Sequence, residues 1–154
     1  MIELNADIGE GCDDDVLMPY LSRVSIACGG HTGDAVSMTA ALRLAVEHGV
    51  AVGAHPSYPD RIGFGRRALA ASAEDIAAWV TQQTEALAEQ AARLGLRLAH
   101  VKPHGALYNV AAQDRNVAQA IVQAVAVFDP GLALVGLAGS QLVAAGRAAG
   151  LIVL

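Results

Sequence analysis

A parallel α/β fold with its chemistry at the carboxyl ends of the strands is what this chain predicts, and three observations predict it. Short apolar runs alternate with segments of helical periodicity along the chain. Each of the first four runs leads directly into residues capable of chemistry: Asp7 and Glu10 after residues 1–4, His31 after 24–28, His55 after 50–54, and Lys102 with His104 after 96–101. Loops at the carboxyl ends of parallel strands converge on one mouth, so four such placements in succession point to an enzyme. No linker and no residue-level repeat divides the sequence, so residues 1–154 read as a single domain.

The elements follow from local signals. Runs 2–6, 24–28, 50–54, 96–101, 132–136 and a last one from Leu151 suit buried parallel strands. Asp34 caps a helix whose stripe is Met38, Ala41, Leu42, Ala45 and Val46, and Gly49 ends it. Ser72 and Asp75 form a capping box for a longer helix with Ile76, Val80, Leu87, Ala91 and Leu94 on one face, interrupted at Gln83 and Thr84 and ending at Gly95. Asp114 opens a third helix, with Val117, Ala118, Ile121, Val122 and Val125 inward, stopped at Asp129-Pro130-Gly131; Ser140 opens a fourth that runs to Gly150. Strand then helix, repeated, requires right-handed crossovers and a mostly parallel sheet, either curled into a barrel or open.

Composition excludes several classes. Apolar residues make up 54% of the 154 and charged residues 16%, which places the chain among globular proteins. A net charge of -5 without a basic stripe leaves no footprint for nucleic acid. The start carries no secretory signal, and the most apolar stretch, 131–146, is broken by Gly136, Gly139, Ser140 and Gln141, so no membrane segment is expected. Cys12 and Cys28 make no disulfide framework and read as reduced thiols of a cytoplasmic protein.

Strand parity separates the polar set from the packing set. Asn5 and Asp7 share one face, as do His100 and Lys102, while Leu4, Ala6, Ala99 and Val101 take the other. Histidines at strand ends suit proton transfer. Asp7, His31 and His55 are also an ordinary donor set for a divalent metal, although no H-x-x-x-H or H-E-x-x-H pattern accompanies them. Lys102, between Val101 and Pro103, leaves its strand at a kinked position from which it can neutralise an oxyanion or pair with Asp7 or Glu10. His104, Tyr108 and Asn109 are expected within one short loop at the same mouth. Residues 63–67, GFGRR, read as a mobile loop whose Arg66 and Arg67 carry forks for a carboxylate or phosphate. His48 is a helix-terminal residue that favours the helix dipole, and Trp79 and Phe128 are core.

Six segments in order, LNADIGEG, SIACGGHTGD, GAHPSYPD, GFGRR, HVKPHGALYN and DPGLALVGLAGS, resemble the LamB/YcsF family, the A subunit of the prokaryotic ATP-dependent 5-oxoprolinase, over essentially all 154 residues. The resemblance implies an irregular TIM-like (β/α) barrel of the glycoside hydrolase/deacetylase type, here truncated after about six strands, because a complete eight-stranded barrel takes roughly 250 residues. It implies conversion of 5-oxo-L-proline, with ATP and water, to L-glutamate, ADP and phosphate, together with B and C subunits. A lactam carbonyl is a poor electrophile, and phosphorylating its oxygen creates a leaving group. No G-x-x-x-x-G-K-[ST] loop occurs, so ATP handling falls to the partners.

Within that reading Asp7 or His55 activates water, Lys102 and His104 stabilise charge on the phosphorylated intermediate, and Asn5, Tyr108 and Asn109 hold the substrate, with Glu10 and His31 as second choices. Two departures stand out: the passage from Gly11 to Asp13, Asp14 and Asp15 is short for the family, and the sequence stops near the sixth strand. Unpaired strand edges predict self-association. Two competing readings are a metal-dependent deacetylase or amidohydrolase working without ATP, and a shortened non-catalytic relative serving as an assembly module.

Overall fold

A five-stranded, all-parallel sheet in the order β1-β2-β3-β4-β5 organises the computed structural model, which describes residues 2–154. Its strands are β1 (Asn5–Ile8), β2 (Arg23–Ala27), β3 (Ala51–His55), β4 (His100–Val101) and β5 (Ala133–Leu134). A sixth segment joins through a single parallel bridge, Leu134 to Val153. Every neighbour in the sheet is also the next strand in sequence, so each crossover steps the same way. That is the winding of a barrel wall; a doubly wound sheet reverses direction at a switch point.

Two short 3-10 turns join β1 to β2, and five helices follow the later strands: α1 (Ala35–His48) after β2, α2 (Ala73–Arg93) after β3, α3 (Gly105–Gln113) and α4 (Arg115–Phe128) after β4, and α5 (Gln141–Ala148) after β5. Their start signals work as the sequence implies. Asp34 accepts from the Val36 and Ser37 amides in a reciprocal box with Ser37, Ser72 and Asp75 form the capping box of α2, Asp114 accepts from Asn116 and Val117, and Ser140 accepts from Val143. Gly49 ends α1 at φ 66°, in the left-handed conformation. His48 is the last residue of α1, and Trp79 and Phe128 pack, partly buried, against the core.

One face of the sheet packs on these helices through Ile8, Val24, Ile26, Cys28, Val52, Ala54, Val101 and Leu134, all nearly or fully buried. Gln83 and Thr84, which interrupt the apolar stripe of α2, are buried too. Gln83 uses its amide as a brace: Oε1 accepts from the Ser57 amide at 2.9 Å and Nε2 donates to the Ser57 carbonyl at 2.8 Å, fixing the segment after β3. Burial pushes the Cys28 thiol up to about 12 despite a hydrogen bond with the His55 backbone, while Cys12 is exposed. No helix among the described residues is long and apolar enough to cross a membrane.

The structure differs from expectation in several places, and β4 and β5 keep only two residues each of the expected runs 96–101 and 132–136. The first strand begins at Asn5 and ends at Ile8, so Asp7 lies within it; Met1, at the head of the expected run, lies outside the described residues. Leu4 is a bridge into the sheet through its carbonyl, which accepts from the Ser22 and Arg23 amides. The expected loop after Lys102 is helical: from Gly105 the chain enters α3, and Tyr108 and Asn109 sit in its first two turns. Ala106, Leu107 and Ala111 bury a short apolar stripe there, which nine residues barely announce in sequence.

Candidate active site

The inner face of the sheet carries two stacked polar layers. Register pairs Asp7 with Ser25, Asn5 with Arg23, Ala27 with His55 and Gly53 with His100. In the lower layer Ser25 Oγ donates to Asn5 Oδ1 at 3.1 Å, and Asn5 Nδ2 donates to His100 Nε2 at 3.3 Å. Gly53 leaves room for this, because a Cβ there would lie well inside contact distance of three atoms of the His100 ring. Asn5 is therefore committed to holding His100, one layer beneath the mouth.

The upper layer holds the reactive groups. Lys102 Nζ donates to both carboxylate oxygens of Asp7, at 2.7 and 2.9 Å, and His55 Nε2 lies 3.3 Å from Asp7 Oδ2. Burial raises the Asp7 pKa, but hydrogen bonding and charge from His55, then from Lys102, outweigh it and hold the carboxyl well below the carboxylate range. Glu10 comes in from the loop after β1, and its Oε1 accepts from His31 Nε2 at 2.8 Å. Its pKa is raised by burial and lowered more by His31, then by His55 and His104, with a net downward shift.

Two backbone carbonyls fix the histidine tautomers. A carbonyl only accepts, so His55 Nδ1–H donates to the Lys102 carbonyl at 2.6 Å, and His104 Nε2–H donates to the Phe64 carbonyl at 2.9 Å. The remaining nitrogens, His55 Nε2 and His104 Nδ1, face each other at 3.1 Å. Burial is the main force holding His104 neutral, with a pKa lowered to about 4; the His31 and His55 charges add to it, against the Phe64 carbonyl and Glu10. Phe64 reaches this position in the left-handed region at φ 54°, and Gly65 follows at φ 63°, packed so closely that a Cβ would press on His31 and His104.

The arrangement sorts the sequence candidates. Asp7, Glu10, His31, His55, Lys102 and His104 converge on one mouth. Tyr108 borders it, its phenol pKa raised by burial and then by the Asp7 charge. Arg66 is exposed, its guanidinium 5.4 Å from the centre of the Phe64 ring. Asn109 is exposed and lines a surface groove with Gln113 and Arg115, away from the cluster. The 63–67 loop is pinned: Arg67 forks onto Asp60, Gly65 N–H donates to the Asp60 carbonyl at 2.8 Å, and Ala106 N–H donates to the Gly65 carbonyl at 2.9 Å. Arg61 ties it further, donating to the Gly29 and Gly33 carbonyls at 3.0 Å each. Sequence reading missed Ser25, Ser57, Phe64 and Gln83. Only Gln83 left a signal, as a polar break in an apolar stripe. A groove of about 720 Å³ between α4 and α5 is lined by glutamines, alanines, Val122 and Arg115 and holds none of these groups.

His100 gives the site a pH dependence. Burial first, then the charges of Arg23 and Lys102, lower its pKa from the usual 6.5 to about 4. The unfolded chain therefore binds more protons between those values; the His100 contribution to stability is complete above about pH 6.5 and is lost as pH falls toward 4. Urea midpoints are expected to drop from pH 7.5 to pH 5. By NMR the His100 ring is expected to stay neutral down to about pH 4; titration near 6.5 contradicts its buried placement.

Barrel winding, a polar inner face and ionisable groups from the ends of β1, β3 and β4 define an α/β barrel-type protein with one strand-end site. Comparison with known proteins narrows this: the LamB/YcsF family model matches residues 2–154, and the chain belongs to that family. It is 55% identical to the A subunit of 5-oxoprolinase from Chloroflexus aggregans, over 99% of this chain and 63% of that protein. With the A subunit of 5-oxoprolinase from Geobacillus thermodenitrificans the identity is 49%, over 97% of this chain and 60% of that one. The crystal structure of the lactam utilization protein of Thermus thermophilus superposes with a TM-score of 0.96 at 48% identity, covering 99% of this chain and 64% of that chain. The chain thus spans somewhat under two thirds of the length of these relatives.

Proposed function

We propose that this chain supplies the lactam-opening site of an ATP-dependent 5-oxoprolinase, converting 5-oxo-L-proline to L-glutamate with hydrolysis of ATP to ADP and phosphate, in company with B and C subunits. The observation that carries the reading is the Lys102–Asp7–His55 chain of contacts at the strand ends, with His104 and Glu10 beside it. Family membership and the names of the relatives support the substrate class.

In this reading the Lys102 ammonium faces the oxygen that gains negative charge as the carbonyl becomes tetrahedral, whether bare or phosphorylated. Asp7 holds Lys102 in place, and its lowered pKa makes it a weak base, which disfavours it as the group that takes the water proton. Water sits against the acceptor atoms His55 Nε2, His104 Nδ1 and Glu10 Oε1, which accept its proton as the C–O bond forms. Proton return to the ring nitrogen lets the C–N bond break, giving glutamate from the bare carbonyl and γ-glutamyl phosphate from the phosphorylated one, which a second water hydrolyses to glutamate and phosphate. ATP is bound by the partners or at a shared surface, consistent with the missing phosphate-binding loop in this sequence.

The test is glutamate release from 5-oxoproline, with and without ATP and the B and C subunits. Release that needs all of them is the expected result. Release without ATP supports the deacetylase-like amidohydrolase alternative, and none with every component present leaves the assembly-module reading.

A further inference from the structure

Three atoms that can each offer a lone pair to a cation meet at the mouth of the site. His55 has its ring proton on Nδ1, held by the Lys102 carbonyl, and His104 has its own on Nε2, held by the Phe64 carbonyl. Their bare nitrogens are 3.1 Å apart, and Glu10 Oε1 stands 3.5 Å from His104 Nδ1 and 3.8 Å from His55 Nε2. Two lone pairs and a carboxylate facing one another repel unless a positive charge lies among them. One proton between the nitrogens relieves that pair and leaves Glu10 with only its bond from His31. A divalent ion serves all three.

We infer that His55 Nε2, His104 Nδ1 and Glu10 Oε1 form a binding site for one divalent metal ion of the zinc class, with a fourth position open to water or substrate. The spacing fits: bonds of 2.0–2.1 Å in tetrahedral geometry put neighbouring donors about 3.3–3.4 Å apart. The ring planes fit as well, since His55 and His104 meet at 83°, which lets two in-plane lone pairs converge on one point. Backbone carbonyls on the far nitrogens are the customary means of aiming ligating imidazoles.

Geometry decides against the donor sets that composition alone suggests. Glu10, His31 and His104 have donor atoms within 4.8 Å of one another. However, the His31 and His104 rings are stacked, 3.7 Å apart and 5° from parallel, so their lone pairs run side by side and do not meet. His31 instead donates from Nε2 to Glu10 Oε1 and orients it, and its Nδ1 has no partner among the described residues. Asp7 is taken up at both oxygens by Lys102. The sequence-based set of Asp7, His31 and His55 thus shares only His55 with the one inferred.

The metal site occupies the same mouth as the proposed function, and an ion bound there would take up the three atoms that otherwise accept the water proton and would activate water in their place; it is tested without substrate, so the two readings fail separately. Chelator-treated protein is titrated calorimetrically with Zn²⁺, and with Co²⁺ for its visible spectrum. The expected result is one ion per chain, with the intense bands of a four-coordinate cobalt site. His104→Ala and Glu10→Gln are expected to weaken Zn²⁺ binding at least 100-fold, and His31→Gln by about 10-fold, in the range for lost orienting partners. Asp7→Asn is expected to change it less than threefold. X-ray absorption on the unmutated zinc protein, which does not depend on variants folding, is expected to count two imidazoles. No stoichiometric uptake, three imidazoles, or binding lost in Asp7→Asn and kept in His104→Ala would each overturn the assignment.

Discussion

Lys102→Ala is expected to lower the turnover of 5-oxoproline in the reconstituted three-subunit enzyme by about 10²–10³-fold, the usual loss when a charge-stabilising donor is removed from a reacting oxygen. The side chain has two tasks at one point. Its ammonium neutralises Asp7 through two short contacts, beside His55 in the upper layer of the inner face. Without it the carboxylate faces the bare His55 nitrogen, and the developing oxyanion meets net negative charge. Stability is expected to change little, because the pair is partly solvated and such pairs contribute about 1 kcal/mol or less. An unchanged melting temperature with lost turnover identifies a functional lysine. Near-normal turnover removes Lys102 from the mechanism.

Gly53→Ala is expected to be the costliest single methyl group in the sheet, at about 3 kcal/mol. A Cβ at this position collides with the His100 ring, and that ring cannot slide away without releasing Asn5. Overpacking costs about 1–3 kcal/mol, and losing the part-buried Asn5–His100 hydrogen bond adds up to about 1 more. For a domain of this size the melting temperature should fall by roughly 6–12 °C. A variant that melts with the parent places the imidazole elsewhere and dissolves the lower polar layer.

Much of this architecture is legible in the sequence because its signals are local. Asp34, Ser72, Asp114 and Ser140 each cap the helix they announce, and the strands fall on or beside the apolar runs. Parity also survives: Asn5 with His100, and Asp7 with Lys102, share the inner face. Other features depend on the third dimension. Whether a parallel sheet curls or reverses is decided by crossover direction, which strand residues do not encode one by one; only resemblance to a family supplied it. Helix α3 hid because Pro103 and Gly105 imitate a loop, and its apolar stripe is three residues long.

The site shows the same division. Chemistry-bearing residues declared themselves by position after strands, but their partners did not. Phe64 acts through its backbone carbonyl, a group every residue has, so no residue-type signal marks it. Asn5 is expected from sequence to hold substrate, and the register gives it partners that the sequence did not announce, Ser25 and His100. Asn109 follows Tyr108 in sequence, yet one helical step of about 100° turns it to the exterior.

Function here requires β1, β3, β4 and their loops to deliver Asp7, Glu10, His55, Lys102 and His104 to one small ligand. An NMR titration of the isotope-labelled protein with 5-oxoproline, in its complete assembly, tests this most directly. The largest shifts are expected at residues 7–10, at His31 and His55, and across 102–105. Shifts confined to the α4–α5 groove around Arg115 and Gln141, with the strand ends unmoved, would contradict it.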